Sequence, residues 1–183
     1  MGSLPVPHTT ALADTQRWLE RAVIGLNLCP FAKVQHVHGR IRYRVSEACT
    51  TEALAQHLEE EIALLLAADP AVTETTLLIH PQVLADFLDY NDFLDMADAV
   101  LAQADPQAQL QIASFHPQYQ FGGSAADDIE NYTNRSPYPM LHLLREDSVE
   151  KAVATFPDAA QIYERNIASL KKLGLEGWRT MLA

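Results

Sequence analysis

The predicted fold follows from a short phrase that the sequence contains twice, as Leu77-Leu78-Ile79-His80-Pro81-Gln82 and as Ile112-Ala113-Ser114-Phe115-His116-Pro117-Gln118. Each copy is an apolar, strand-like run that stops at His-Pro-Gln. The two histidines are 36 positions apart, and a helical pattern fills the gap. That is the length of one strand–helix–strand unit. Such a unit brings both histidines to the same edge of a sheet, where α/β proteins commonly bind ligands.

Helical and strand-like patterns alternate on both sides of this unit. Helices are predicted over 14–28, 51–68, 83–103 and 148–156, with a last helix from Asp158 to Gly174, and strands over 40–47, 75–79, 109–115 and 140–144. This alternation predicts an α/β (or α+β) fold, a single layer of about four strands with at least one parallel β-α-β unit and helices packed on the sheet. The alternative is a ferredoxin-like sandwich, in which another strand separates the two strands of each β-α-β unit.

The composition restricts the class of protein. The chain has 183 residues, of which 48% are hydrophobic, so we expect one globular domain. This domain is expected over 13–183, after a flexible tail over 1–12. A net charge of −11 argues against nucleic acid and anionic membranes as partners. No apolar run approaches the roughly 20 residues of a membrane span. Two cysteines without a CxxC pair indicate neither a disulfide framework nor a zinc ribbon, which favours a cytoplasmic location.

Several longer phrases resemble one known family. They are Leu26-Asn27-Leu28-Cys29-Pro30-Phe31-Ala32, His80-Pro81-Gln82, Asp89-Tyr90-Asn91-Asp92-Phe93, Phe115-His116-Pro117 and the segment from Glu130 to Pro139. Over about residues 15–178 the chain resembles a bacterial family of unknown function, the one numbered 1415 among domains of unknown function. The resemblance implies a bacterial cytosolic protein and carries over no catalytic residue, so the function must be argued from the side chains.

The paired histidines are the first candidates for a site. The proline after each one holds the backbone extended and removes the next N–H donor, which places the imidazoles of His80 and His116 at the sheet edge. Two such rings suit metal binding or acid–base catalysis. On neighbouring strands, about 4.8 Å apart, they would share a metal, whereas a spacing of about 10 Å needs a third group between them. The alternative is that His-Pro only ends a strand, with each ring bonded to a loop carbonyl.

The long irregular stretch 117–139 follows the His116 strand and is expected to fold over the same edge, because its four aromatic residues need burial. In this stretch, Asp128 offers a carboxylate to complete a metal shell. Arg135 offers a guanidinium that binds a carboxylate or phosphate in bidentate fashion. The alternative is a loop that these residues bond to itself.

Cys29 is the candidate nucleophile. Pro30 is expected to end the first helix, which places Cys29 at a helix C-terminus, where the negative end of the dipole raises the pKa of a thiol. Activation would then need His80, His116 or an arginine nearby, and a buried, inert cysteine is the simpler interpretation. His142 lies between two leucines in a strand and is interpreted as a core or edge residue.

The sequence therefore predicts a small cytosolic enzyme that acts on a small polar molecule. The predicted catalytic residues are His80, His116, Arg135 and Cys29, and the predicted ligands of a divalent transition metal are His80, His116 and Asp128. Metal-assisted hydrolysis is the narrowest reaction class that this set suggests. Two alternatives stay open, a non-catalytic module that binds a small molecule or a peptide, and a structural or interaction protein.

Overall fold

The last strand in the chain lies at the centre of the sheet. In the computed structural model, which describes residues 6–155 and 159–183, the strands are β1 (Ile41–Val45), β2 (Thr75–Ile79), β3 (Leu110–Phe115) and β4 (Met140–Arg145). Their order across the sheet is β1-β2-β4-β3. The β1 and β2 strands are parallel neighbours, while β4 is antiparallel to both β2 and β3. The β2 and β3 strands therefore run in the same direction, as predicted, but with β4 between them.

This order combines the two predicted architectures. The first β-α-β unit has adjacent parallel strands, as in an α/β layer. The second unit has another strand inserted between its two strands, as in the ferredoxin-like alternative. The predicted fold class, a four-stranded mixed sheet with helices packed on it, is confirmed.

Helices cover both faces of the sheet. They are α1 (His8–Trp18), continued by a π-helical segment (Leu19–Ile24), α2 (Pro30–Val37), α3 (Thr51–Ala67), α4 (Phe87–Ala104), a 3₁₀ turn (Ile129–Asn134), α5 (Glu146–Ala154) and α6 (Ala159–Leu182). Thr50 caps α3 and Asp86 caps α4, each by accepting backbone N–H donors of the first turn. The predicted cap Asp158 lies outside the described residues. Gly174, with a φ of 68°, interrupts α6 where the sequence predicts its end.

Helix α2, which the sequence patterns do not predict, reverses the expected setting of Cys29. Pro30 does separate two helices, but it occupies the first turn of the second one, where its missing N–H has no intrahelical partner to lose. The chain breaks earlier, at Asn27, whose φ is 54°. Cys29 is therefore the N-cap of α2 rather than the end of the preceding helix. The positive end of a helix dipole lies beside its thiol, not the negative end.

The sheet separates two apolar cores. Leu78 and Leu141 face the core that α3 and α4 cover, while Leu77 and Met140 face the core that α1, α2 and α6 cover. Side chains alternate between the faces along each strand, so β4 sends His142 toward the second core. Each fully buried leucine contributes about 2 kcal/mol to the stability of this packing.

The first helix begins inside the segment that the sequence predicts as a tail. Helix α1 starts at His8, and Ala11 is fully buried in the second core. Residues 1–5 of that segment lie outside the described part of the chain. Among the helices of residues 6–155 and 159–183, none has the length and apolar character to cross a membrane.

Candidate functional site

His80 and His116 follow the carboxyl ends of β2 and β3, and both are fully buried. The stretch 117–139 lies over them. Its backbone carbonyls accept the N–H of His80 at 3.0 Å, from Pro139, and the N–H of His116 at 3.2 Å, from Asn134. This edge of the sheet is therefore closed by backbone that continues the hydrogen bonding of the strands.

The ring of His116 is fully hydrogen-bonded as a neutral imidazole. Its Nε2 donates to the carbonyl of Leu84 at 3.1 Å, and its Nδ1 accepts from the N–H of Gln118 at 3.0 Å. Burial lowers the pKa of His116, which favours the neutral ring. Both nitrogens thus hold the polypeptide around the strand end.

His80 differs from His116 at one nitrogen. Its Nδ1 donates to the carbonyl of Val83 at 3.1 Å, which leaves a lone pair on Nε2. Burial lowers the pKa of His80 to about 4, so the ring is neutral at pH 7. Its Nε2 is buried and has no hydrogen-bond partner in the part of the chain that the structure describes. That nitrogen is the one unsatisfied position of the histidine pair.

An aromatic ring packs on both imidazoles. The Tyr90 centroid lies 5.8 Å from that of His80 and 5.0 Å from that of His116, so the two imidazoles are no further apart than the sum of these distances. The Tyr90 hydroxyl donates to Met140 O at 2.8 Å and accepts from Phe115 N–H at 3.1 Å. Among the described residues, no group of three or more His, Cys, Asp or Glu side chains is placed to hold a metal ion.

The two predicted loop residues form bonds within the loop. Asp128 is exposed, and its Oδ2 accepts a backbone N–H three residues earlier at 2.8 Å. Arg135 donates to the carbonyls of Tyr119 and Ala126, at 3.2 and 2.6 Å, and its guanidinium lies 4.3 Å from the centre of the Tyr132 ring. Arg135 also lines a surface cleft of about 450 Å³. The guanidinium of Arg135 thus binds the loop backbone, while part of the side chain faces the cleft.

A cysteine and a histidine, Cys29 and His142, lie on the face of the sheet. Both residues line two adjoining cavities of about 200 and 40 Å³, which also share Phe31 and Phe115. The walls of the larger cavity are otherwise almost entirely apolar and include Leu144, Val149, Val153 and Ile162. We call this larger space the apolar cavity. It lies on the face of the sheet, away from the edge where the sequence predicts a site.

A hydrogen bond fixes the tautomer of His142. The Thr75 hydroxyl donates to the carbonyl of Leu143, so it accepts from His142 Nε2–H at 2.7 Å. The lone pair of the imidazole is therefore on Nδ1. Burial lowers the pKa of His142 to about 4. The imidazole thus has a free lone pair and one nitrogen held by an orienting group, which is the form of a general base, but a pKa of about 4 makes it a weak one.

The thiol of Cys29 is protonated at neutral pH. Burial raises the pKa of the Cys29 thiol, and the backbone N–H groups of Ala32 and Phe31 lower it by a smaller amount. Cys29 is half-buried, whereas Cys49 is exposed. A buried neutral thiol needs a base to become a nucleophile. The cavities beside Cys29 supply a base in His142 and, in the smaller cavity, the group that orients this base, Thr75.

Sequence reasoning missed His142 and Thr75. The leucines around His142 are typical of a core position, and no motif marks Thr75. The signal present in the sequence is the burial cost of an imidazole in the middle of an apolar strand, which requires a partner. The strand pairing that brings Thr75 of β2 to His142 of β4 is tertiary information.

A comparison with protein-family profiles found one that matches most of the chain. The profile described as "Protein of unknown function (DUF1415)" matches residues 10–180. The matched range includes Cys29, Thr75, His142 and both His-Pro strand ends. A search of curated proteins and a search of solved structures found no match. The geometry of the site is therefore the basis for a functional proposal.

Proposed function

This chain belongs to the DUF1415 family, whose description assigns no activity. From that premise, we propose that the protein is a cysteine-dependent enzyme that acts on the acyl group of a small molecule. One observation carries the proposal. Cys29 and His142 line the same cavities, and Thr75 holds His142 as the tautomer with its lone pair on Nδ1. Nucleophile, base and orienting group are the three roles of a catalytic triad.

The proposed reaction uses the neutral thiol and the neutral imidazole together. Cys29 Sγ attacks the carbonyl carbon of an ester or thioester, and the thiol proton moves to His142 Nδ1. The leaving alcohol or thiol takes that proton as the carbon–oxygen or carbon–sulfur bond breaks, which leaves a thioester on Cys29. Water then attacks the thioester, gives its proton to the same nitrogen and releases the carboxylic acid, and the sulfur regains its proton.

The surroundings of Cys29 suit the transfer of an acyl group that has an apolar chain. The N–H groups of Phe31 and Ala32, in the first turn of α2, act on the Cys29 sulfur. The N–H of Phe31 is the proposed donor to the oxyanion that forms on the attacked carbonyl, since the N–H of Ala32 already donates to the carbonyl of Cys29 at 3.3 Å. The apolar cavity, about 200 Å³, is suited to an apolar acyl chain.

The test is acyl transfer from p-nitrophenyl hexanoate. We expect the wild-type protein to release nitrophenolate and to gain one hexanoyl group, which intact-mass analysis and peptide mapping place on Cys29. Cys29→Ala should lose both signals, whereas Cys49→Ser, the matched control, should keep both. Nitrophenolate release that persists in Cys29→Ala, or an adduct on Cys49 alone, would contradict the proposal.

Metal-assisted hydrolysis at the sheet edge stays a prediction, and one observation favours it. His80 Nε2 is buried without a partner among the described residues and carries the lone pair that a metal needs. His116 would have to release Leu84 O or Gln118 N–H to become the second ligand. Zinc, iron or manganese that stays with the wild-type protein through gel filtration, and that His80→Ala loses, would support it. A wild-type protein that retains none of the three metals would count against it.

A further inference from the structure

A polar cleft adjoins the apolar cavity beside Cys29. The cleft measures about 490 Å³ and shares Pro30, Phe31 and Ala152 with the apolar cavity. Its polar wall residues are Gln35, Arg40, Glu74, Ser148, Lys151 and Thr155. The candidate site thus has an apolar side and a polar side that meet at the first turn of α2.

Three side chains in the wall of the polar cleft have unsatisfied buried atoms. Within the described residues, Gln35 Oε1, Arg40 Nε and Glu74 Oε1 have no hydrogen-bond partner. Gln35 is 8% exposed and Glu74 is 5% exposed. Leaving such an atom unsatisfied costs free energy, and most buried polar groups in native proteins are paired. A bound molecule that supplies partners to this cleft would recover that free energy.

The unsatisfied atoms define which chemical groups would fit. Gln35 Oε1 and Glu74 Oε1 are acceptors, and Glu74 brings a negative charge, so they suit a primary ammonium group with its three N–H donors. Arg40 Nε is a donor on a cationic side chain, and Lys151 adds an exposed cation from α5. Arg40 and Lys151 together suit a carboxylate or a phosphate.

We propose that the polar cleft binds a zwitterionic end of the substrate, with an ammonium group at Glu74 and Gln35 and an acid group at Arg40 and Lys151. The apolar part of the same molecule occupies the apolar cavity, and its carbonyl lies between the two parts, at Cys29. The substrate class is therefore a small zwitterionic molecule with an apolar tail. This inference rests on the proposed function, because it identifies the class of molecule on which the thiol acts.

The test compares three eight-carbon ligands that carry different charged groups. 2-Aminooctanoic acid has the ammonium, the carboxylate and the tail, while octanoic acid and octylamine each lack one charged group. Calorimetric titration of Cys29→Ala measures binding without turnover. We expect 2-aminooctanoic acid to bind about tenfold more tightly than octanoic acid or octylamine. About tenfold is the change in affinity expected for one charge-assisted hydrogen bond. Equal affinities, or no binding of any of the three, would overturn the inference, whatever the acylation of Cys29 shows about the proposed function.

Variants assign the two ends of the ligand. Glu74→Gln should make 2-aminooctanoic acid and octanoic acid bind equally, and Arg40→Gln should do the same for 2-aminooctanoic acid and octylamine. Glu47→Gln, at an exposed position outside the cleft, is the control and should keep every preference. A folded Glu74→Gln protein that keeps the full preference for the ammonium group would overturn the assignment.

One further ligand identifies the acid group. 1-Aminoheptylphosphonic acid replaces the carboxylate of 2-aminooctanoic acid by a phosphonate, which stands in for a phosphate, and keeps the ammonium and the tail. If it binds more tightly than 2-aminooctanoic acid, the acid group is a phosphate, and the reverse order identifies a carboxylate. In both cases Glu74→Gln should weaken the tighter ligand about tenfold. If both bind no better than octylamine, the acid end of the proposal is wrong.

Discussion

The carboxyl edge of the sheet and its second face both bury neutral imidazoles, but the bonds of these rings differ. At the edge, Nδ1 of His80 and both nitrogens of His116 bond to backbone groups. On the face, His142 bonds to a side-chain hydroxyl and lines a cavity together with Cys29. Burial and a lowered pKa are therefore shared by both regions and do not mark a site. What distinguishes the face is a cavity lined by both a cysteine and a histidine.

The largest expected difference between the two regions is in the rate of acyl transfer. His142→Gln should reduce nitrophenolate release from p-nitrophenyl hexanoate by about 10²–10⁴-fold, the usual contribution of a general base. The glutamine amide retains a donor for Thr75, so the fold should persist. His38→Gln, on the exposed C-terminal end of α2, is the control for which no loss is expected. Equal rates in wild type and His142→Gln would show that His142 is not the base for acyl transfer.

The edge should respond in stability instead. His116→Ala should lower the free energy of unfolding by about 3 kcal/mol, because it leaves Leu84 O and Gln118 N–H unpaired and opens a cavity. An accessible edge histidine would cost only about 1 kcal/mol. Urea unfolding measures the difference, with His38→Ala expected to stay within about 0.5 kcal/mol of wild type. A cost for His116→Ala as small as that of the control would show that the edge bonds do not stabilise the fold.

Acidification should weaken both regions alike. His80 and His142 have pKa values lowered to about 4, whereas an unfolded histidine titrates near 6.5. Above pH 6.5 neither state binds the proton, so nothing is lost; between about pH 6.5 and 4 the unfolded state binds more protons, and stability falls with falling pH. The expected slope is about 1.4 kcal/mol per pH unit for each histidine.

Urea unfolding at a series of pH values measures this slope. His80→Asn and His142→Gln should each remove the contribution of one histidine from the slope of the wild-type protein. A slope that neither substitution changes would mean that the two rings bind protons as readily in the folded state as in the unfolded state.

The smallest expected effect concerns the loop over the edge. Arg135→Lys should lower the free energy of unfolding by about 1 kcal/mol, because a lysine keeps the charge but not the planar fork that reaches two carbonyls over Tyr132. Arg179→Lys, on the exposed end of α6, is the matched control. If Arg135→Lys leaves unfolding unchanged but weakens the binding of phosphate to the protein, Arg135 acts as the anion clamp that the sequence predicts.

Local chemistry explains which parts of the fold the sequence predicts. The strands that end at His80 and His116 lie where the patterns place them, and the helix between them begins at Phe87 rather than at the predicted Val83. The patterns succeed because a proline acts on its immediate neighbours and a helical face needs only a few turns. The insertion of β4 between β2 and β3 is not visible in this way, since strand pairing depends on residues far apart in the chain.

The candidate site is less predictable than the fold, for the same reason. Cys29 is predicted as a nucleophile, but its base comes from β4 and the group that orients the base comes from β2. Pro30 also admits two interpretations, the end of one helix or the first turn of the next, and the break at Asn27 decides between them. Thr75 and His142 come together only when β2 pairs with β4.

The central position of β4 has a consequence for the newly synthesised chain. Until the ribosome has released Met140–Arg145, β2 and β3 have no partner for the edges that face each other, and both are largely apolar. Exposed edges of this kind pair with other chains. A nascent chain whose β3 has emerged from the ribosome while β4 has not would present two such edges at once, so this interval of translation is when the chain is most exposed to aggregation.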